Sequence, residues 1–279
     1  MKNKFIILLL LLSANLFSYE IGFIILNGGK KLSCSSIEVT SNKNLKFIIN
    51  KENKVWEIGP GSYEYAQLNQ PPKEINEITI LLMDKKFKQA LSKVNEAEKK
   101  YANLGLNSLI FKLKTEIYFA QNINTKAFNY LNKILNLAKK NDKELCLDRS
   151  LMYTQSSFWD HGKFQKAYEC SVLLTKSSSL SGRIFGLYTL ADYYLLNHNI
   201  TKAKKCYLLA YLAIDKEVIK NEIYVNCLKK FIICLKKENI NYSNYLNELK
   251  EFGEKNNEYK KEIKQFIDKI SEAKEQKDL

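Results

Sequence analysis

The sequence predicts a mainly α, α+β protein in which a small N-terminal antiparallel β domain precedes a solenoid of paired helices. Two observations carry this prediction: all three prolines and five of the ten glycines precede residue 73, and a ten-residue pattern recurs four times after it. The composition, 46% hydrophobic and 12% aromatic, is typical of a globular chain rather than a disordered one.

The N-terminal stretch MKNKFIILLLLLSANLFS has the three parts of a secretory signal peptide. Lys2 and Lys4 precede an apolar run over residues 5–12, and a region of small residues ends at Ser18. The apolar part is shorter than the roughly 20 residues that a membrane-spanning helix needs. We expect export with removal of residues 1–18, and retention of this segment as an anchor is the alternative. The mature chain is then not membrane-spanning, and it is periplasmic, bound to the cell envelope or secreted.

Residues 19–70 read as a small β domain. Short apolar runs at 22–26, 31–39, 44–50 and 54–58 predict strands. Between the first two runs lies the pair Asn27-Gly28, a strong hairpin signal because both residues accept positive φ. The stretch GPGS at 59–62 predicts a second turn. Four or five such strands predict an antiparallel sheet or open barrel with one buried face.

Residues 73–216 contain no proline and show helical spacing of apolar residues, together with a repeated pattern. Its four copies are LLMDKKFKQA (81–90), YFAQNINTKA (118–127), FWDHGKFQKA (158–167) and YLLNHNITKA (194–203). The closing alanines are 37, 40 and 36 residues apart, which is the period of a helical repeat. The remaining residues, 217–279, predict closing helices and a charged C-terminal helix.

This pattern resembles the tetratricopeptide repeat, whose unit is two antiparallel helices. The resemblance covers about half of the chain, and the units are divergent because the proline that usually closes a unit is absent. It implies that two sets of residues form the repeat core. The large residues that open the four copies match the first helix, and the closing alanines match the point where the second helix packs closely on it: Leu81, Tyr118, Phe158 and Tyr194, then Ala90, Ala127, Ala167 and Ala203.

The third copy places Asp160, His161 and Gly162 side by side, which raises the question of a catalytic site. Ser156, Ser157 or Cys170 would be the nucleophile, yet no spacing brings a nucleophile and a base within about 3 Å. The repeat frame instead places the three residues in the loop between two helices. The fourth copy has Asn197, His198 and Asn199 in its corresponding loop. We therefore expect a turn, no catalytic residue and no enzymatic activity.

Neither cysteine spacing nor histidine spacing indicates a metal or a disulfide framework. The six cysteines, at positions 34, 146, 170, 206, 227 and 234, form no CxxC pair. Export would permit disulfides, but buried free thiols are favoured because the core is large. The only two histidines are not at ligand spacing to a cysteine pair. We expect no metal and no cofactor.

The formal charge of +14 comes almost entirely from lysine, since Arg149 and Arg183 are the only arginines. Specific nucleic-acid recognition prefers the guanidinium group, so we do not expect it. The stretch NGGK at 27–30 lies between strands, whereas a phosphate-binding loop opens a helix. The lysine excess favours an acidic partner.

The resemblance implies an exported, non-enzymatic adaptor or scaffold that binds a protein or peptide on a concave face formed by the first helices. We expect five residues on that face: Lys112, Glu116, Gln155, Tyr188 and Asp192. An alternative of another class is an envelope-associated structural protein whose β domain binds cell-wall polymer or another envelope component. A hydrolase with a hidden site ranks third, and the sequence does not indicate an oligomeric state.

Overall fold

The structure is a computed structural model that describes residues 21–50, 52, 54–101, 104–140, 144–215 and 222–275. The predicted signal segment, residues 1–18, lies outside the described residues, and so does the end of the charged C-terminal segment. The described residues form two compact units, one up to residue 150 and one from residue 151. Each unit is described by itself.

The first unit begins with an antiparallel sheet, which confirms the predicted fold class together with the helices that follow. Within the described residues its strands are β1 (Gly22–Leu26), β2 (Lys31–Val39), β3 (Leu45–Ile49), β4 (Val55–Ile58) and β5 (Tyr63–Leu68). Their order across the sheet is β4-β3-β2-β1-β5. The first four strands coincide with the predicted runs to within about a residue, and the fifth follows the turn predicted at 59–62.

The turn between β1 and β2 differs from the predicted one by one residue. Positive φ falls on Gly28 (92°) and Gly29 (83°), and Asn27 is not among the residues with positive φ. The physical reason is that two adjacent glycines supply the left-handed conformation without the penalty that a Cβ atom brings. Asn27 instead donates from its amide to the carbonyl of Gly61, and so ties the first turn to the second.

One face of the sheet and the helices that directly follow it in the chain bury a common core. Ile24 and Phe47 from the sheet lie in the same cluster of buried residues as Ile78 and Val94 from the helices. The strand β5 is also linked to the helical part through its backbone, because the N–H of Leu68 donates to the carbonyl of Leu104 over 3.3 Å. Composition changes at residue 73, but the apolar core continues across that change.

Helices occupy the rest of the described chain, because no proline interrupts the helical spacing of apolar residues after residue 72. In the described residues they are α1 (Lys73–Met83), α2 (Phe87–Tyr101), α3 (Asn107–Ala120), α4 (Asn124–Lys140), α5 (Leu147–Asp160), α6 (Phe164–Leu174), α7 (Leu180–Leu196), α8 (Ile200–Asp215), α9 (Glu222–Lys237), α10 (Ser243–Lys255) and α11 (Asn257–Glu275). Odd-numbered helices from α1 to α9 are the first helices of pairs, and the following even-numbered ones are the second helices.

The four closing alanines of the repeated pattern are fully buried, each in the second helix of its pair. The side chains that open the pattern differ in how far they are buried: Phe158 is buried, whereas Leu81, Tyr118 and Tyr194 are half-buried. A methyl group lets two helix backbones approach closely, whereas a large side chain at the first position can extend past the contact to the surface. Tyr207, in α8, is fully buried in the core of the second unit.

Candidate partner-binding surface

Five turns between paired helices share one hydrogen-bond geometry. A residue with φ between 56° and 69° occupies the same place in each turn: Lys85, Asn122, Gly162, His198 and Asn239. In the third turn the N–H of Gly162 donates to the carbonyl of Trp159 over 2.9 Å, and the N–H of Lys163 donates to that of Phe158 over 2.7 Å. The same two bonds recur in the other four turns. This is the Schellman ending of a helix, which satisfies its last carbonyl groups.

The stretch around His161 is therefore one of these turns. Asp160 is the last residue of α5, and the Nδ1 atom of His161 lies 2.8 Å from the carbonyl oxygen of Ser157. A carbonyl only accepts, so this bond requires the proton on Nδ1. The alignment of the turns also shows that His198 is equivalent to Gly162, one position after His161. The two histidines thus do not form a repeated motif.

In the second unit, four side chains meet where the first helices α7 and α9 lie against each other. Lys230 of α9 donates to both carboxylate oxygens of Asp192, over 2.7 and 2.9 Å, and to the phenol oxygen of Tyr188 over 2.7 Å. Both of these partners belong to α7. Tyr207 reaches the same carboxylate from the second helix α8. The carboxylate of Asp192 is 20% exposed and Lys230 is 31% exposed, so the network borders the solvent.

Burial and charge fix the protonation of the lysine and of the two tyrosines in this network at neutral pH. Burial alone would lower the pKa of Lys230, but the charge and hydrogen bonds of Asp192 and the bond to Tyr188 outweigh it and raise that pKa above its usual value. Burial and, second, the charge of Asp192 raise the pKa of Tyr207 and of Tyr188. The lysine is therefore an ammonium ion, and both tyrosines carry their protons.

A second carboxylate is held by tyrosines one helix further along. Glu248 of α10 accepts from Tyr211 of α8 over 2.7 Å, and it also accepts from Tyr224 of α9. Both tyrosines are buried and each binds one of the two carboxylate oxygens, while Glu248 as a whole is half-buried. Buried tyrosine hydroxyls need such partners, and here carboxylates supply them.

In the first unit, the predicted residues Lys112 and Glu116 lie one turn apart on α3 and bind each other over 2.6 Å. Both are partly exposed. Their neighbour Lys114 points to the opposite side, where it is almost completely buried and pairs with Glu98 of α2. A buried lysine is stable as an ion only with such a partner.

The structure thus brings Tyr188 together with Asp192, and Lys112 together with Glu116, in separate units. Gln155, expected on the same face, is only 2% exposed and contributes no accessible surface. The sequence reading missed Lys230, although a signal for it exists. Lys230 lies 38 residues after Asp192, close to one repeat period, so the two residues lie on consecutive first helices, and in the alignment of the turns Lys230 is three positions nearer to the start of its helix.

Several other features bear on chemistry. None of the six cysteines, all within the described residues, forms a disulfide, and five of them are buried. Burial raises the pKa of Cys227, to about 12, and the charge of Asp192 adds to this effect.

Within the described ranges, no group of three or more His, Cys, Asp or Glu side chains could hold a metal ion. In the same part of the chain, no helix combines the length and apolar character required to cross a membrane.

Comparison with known proteins gives structural matches alone. No family model matches the sequence, and no curated protein matches it. The apo form of RapI superposes with a TM-score of 0.53 at 16% identity, over 68% of this chain and 73% of RapI. PilF of Pseudomonas aeruginosa superposes with a TM-score of 0.47 at 12% identity, over 65% of this chain and 72% of PilF. A kinesin light chain of Podosopora anserina with TPR-like repeats superposes with a TM-score of 0.44 at 11% identity, over 71% of this chain and 93% of the kinesin light chain structure.

RapI is a tetratricopeptide-repeat protein, and its superposition bears on the fold of this chain and not on its activity. The low identity agrees with divergent repeat units, as the sequence predicts. Paired helices with recurrent Schellman turns and closing alanines are the local features of the same architecture. This chain therefore has a tetratricopeptide-repeat-like helical fold that follows an N-terminal antiparallel sheet.

Proposed function

We propose that this chain is an exported, non-enzymatic adaptor that binds a protein or peptide partner on the face formed by its first helices. The observation that carries the proposal is the network of Tyr188, Asp192 and Lys230, which bridges the first helices α7 and α9 at the edge of the solvent. Stacked helix pairs expose the faces of successive first helices to an extended partner.

The geometry of the network favours an acceptor group on the partner. The phenol oxygen of Tyr188 accepts a hydrogen bond from the Lys230 ammonium, and among the described residues its own hydrogen has no acceptor. A hydroxyl that accepts from a cation is a stronger donor, because hydrogen bonds in a chain polarise one another. Carboxylate and backbone carbonyl oxygens are the acceptors that a protein partner offers, which agrees with the preference for acidic partners that the lysine excess suggests.

The side chains are also held in place before a partner arrives. Lys230 has three acceptor atoms within 2.9 Å, and Asp192 is held in addition by the buried Tyr207. Ordering a free lysine on binding costs about 0.5 to 1.5 kcal/mol of side-chain freedom. In this network that cost is met by folding and not by association.

Site-directed photo-crosslinking tests the proposal. A photoreactive phenylalanine analogue placed at Tyr188 should capture a partner in living cells, and the same residue at Tyr193 serves as the matched control. Tyr193 lies on the same helix but points to Gln165, to which its hydroxyl donates over 3.1 Å. The expected result is a covalent adduct at position 188 that is weak or absent at position 193.

The yield of the adduct at position 188 should also depend on the negative charge of Asp192. Asp192→Asn keeps the shape but removes the charge that holds Lys230, so we expect the yield of the adduct to fall. Equal adducts at positions 188 and 193, or none at position 188, would contradict the proposed face.

Export is the second part of the proposal and has its own test. The pattern of Lys2, Lys4 and the apolar run over 5–12 supports it. Mass spectrometry of the protein from an envelope or periplasmic fraction should find an N-terminus near Tyr19. An intact Met1 on a protein recovered from the cytosol would contradict export.

A second candidate is an envelope-associated structural protein, and strand β4 is the observation that favours it. This strand forms an edge of the sheet, and its side chains Val55 and Trp56 are exposed. The Trp56 ring is oriented by Glu52, which accepts from the indole over 2.9 Å, and by the Lys54 ammonium 4.3 Å from its centre. Trp56→Ala should then abolish co-sedimentation with purified cell wall, while Tyr188→Phe leaves it unchanged.

A further inference from the structure

Helix α4 has an unusual composition for an exposed helix. Its seventeen residues include four lysines and four asparagines but no acidic residue. Asn129, Tyr130, Lys133 and Asn136 lie three, four, seven and ten positions after Lys126, so the five residues share one face of the helix. Together with Asn132 and with Tyr118 of α3 they line an open depression of about 560 Å³. This surface is separate from the residues of the proposed partner-binding face.

The two lysines of the depression have no carboxylate partner in the part of the chain that the structure describes. The ammonium group of Lys126 lies 5.4 Å from the centre of the Tyr118 ring, and that of Lys133 lies 4.6 Å from the centre of the Tyr130 ring. A ring face attracts a cation but does not neutralise its charge. The buried ammonium of Lys114 lies on the same Tyr130 ring, at 5.3 Å. The depression therefore presents positive charge to the solvent.

The asparagines identify the kind of anion. A polyphosphate offers acceptor oxygens alone, so it would use the NH₂ groups of Asn129 and Asn136 and leave their carbonyl oxygens without a role in binding. An extended peptide offers backbone N–H donors and C=O acceptors, which match both ends of an asparagine amide, and its acidic side chains match the lysines. An open depression of this kind also suits an extended chain better than an enclosed small molecule.

We propose that the α4 depression binds an acidic, extended peptide segment, with Lys126 and Lys133 holding its carboxylates and the asparagines holding its backbone. The two lysines are separated by seven residues of helix, a rise of about 10 Å. A chain in the polyproline II conformation covers this distance in about three residues, and because it has three residues per turn, side chains three positions apart lie on the same side. The preferred segment therefore has acidic side chains about three positions apart. The proposal does not depend on the face around Tyr188.

A fluorescence anisotropy titration with the full chain tests this inference. The probe is a fluorescein-labelled ten-residue Gly/Ser peptide with glutamate at every third position, and its counterpart has glutamine at those positions. The buffer has low ionic strength, since exposed charges are screened by salt. We expect saturable binding of the glutamate peptide and at least tenfold weaker binding of the glutamine peptide.

Two double variants with equal loss of charge separate this site from the general positive charge. Lys126→Gln with Lys133→Gln should weaken binding at least tenfold. Lys88→Gln with Lys99→Gln removes two exposed lysines from α2 and should change binding less than twofold. Because all four side chains are exposed, circular dichroism melting curves should coincide for the three proteins. Equal loss in both variants would overturn the proposal, and so would the absence of measurable binding.

The asparagines distinguish a peptide from a phosphate polymer. Asn129→Ala with Asn136→Ala should weaken the glutamate peptide severalfold, and it should weaken competition by inorganic polyphosphate by a smaller factor, because the peptide uses both ends of each amide. If this variant binds the peptide as tightly as the original chain, the asparagines do not recognise a backbone. The depression would then be a general anion site, and the assignment to a peptide would be wrong.

Discussion

Two single substitutions in equivalent turns should change stability in opposite directions. Gly162 and His198 occupy the same place in the third and fourth Schellman turns, with φ of 69° and 57°. An L-residue pays roughly 1 to 2 kcal/mol for the left-handed conformation, whereas glycine does not. Gly162→Ala should therefore destabilise the protein, and His198→Gly should stabilise it.

The structure allows the magnitude to be worked out because no steric effect intervenes. A Cβ atom built on Gly162 meets no other atom within 4 Å, and His198 is exposed. The backbone penalty of roughly 1 to 2 kcal/mol is partly offset, since alanine has less freedom than glycine in the unfolded chain by about 0.4 to 1 kcal/mol. We expect a loss of about 1 kcal/mol for Gly162→Ala and a gain of similar or smaller size for His198→Gly.

Urea unfolding followed by circular dichroism at 222 nm measures both changes as shifts of the midpoint at constant slope. Asn197→Gly is the matched control, because Asn197 precedes His198 and has φ of −91°. Glycine at that position relieves no penalty and should destabilise. If His198→Gly and Asn197→Gly behave alike, the left-handed residue is not what determines the stability of these turns.

Three further predictions concern the core, an ion pair and the histidine turn. Ala167→Leu should overpack a fully buried helix contact and cost about 1 to 3 kcal/mol, and unchanged melting would count against the repeat frame. The hydrogen bond from Lys100 lowers the pKa of Glu74 from 4.5 to about 2, so the stability it contributes is present above pH 4.5 and is lost as the pH falls towards 2. Carboxyl NMR should show that titration, with Lys100→Met moving it upwards; a midpoint near 4.5 in the original chain would refute it. Asp160→Asn combined with His161→Asn should change the free energy of unfolding by less than about 0.5 kcal/mol and leave partner affinity unaltered, whereas a catalytic site would lose activity.

Much of the fold could be predicted because it rests on interactions between residues close in sequence. Strands β1 and β2 follow from alternating apolar runs around a glycine turn, and the paired helices follow from their apolar spacing. The recurrence of ten residues located four of the five turns. The fifth, at Asn239, was missed because position 244, where the pattern would place its alanine, holds asparagine.

Two residues of the candidate site were named from the sequence. Tyr188 and Asp192 were expected on one face, and in the structure both accept hydrogen bonds from Lys230; that this face binds a partner stays a prediction. Their partner Lys230 comes from the next first helix, and Tyr207 reaches Asp192 from the second helix α8. Gln155 was expected on the same face, but neighbouring helices cover it, because a helical pattern alone does not say how far each face is buried.

The amino-acid sequence was sufficient for features that depend on the chain within a few residues: the strands, the helices, their period and four of the five turns between paired helices. Hydrogen bonds and steric limits on φ act at this range, so composition and spacing report them directly. Packing between distant segments settled the rest. It joined the sheet and helices α1 to α3 into one core, left Gln155 covered, and placed the Lys230 ammonium against Asp192. These outcomes depend on which surfaces exclude water together and which charges then require a partner, and neither quantity is a property of a short stretch of sequence.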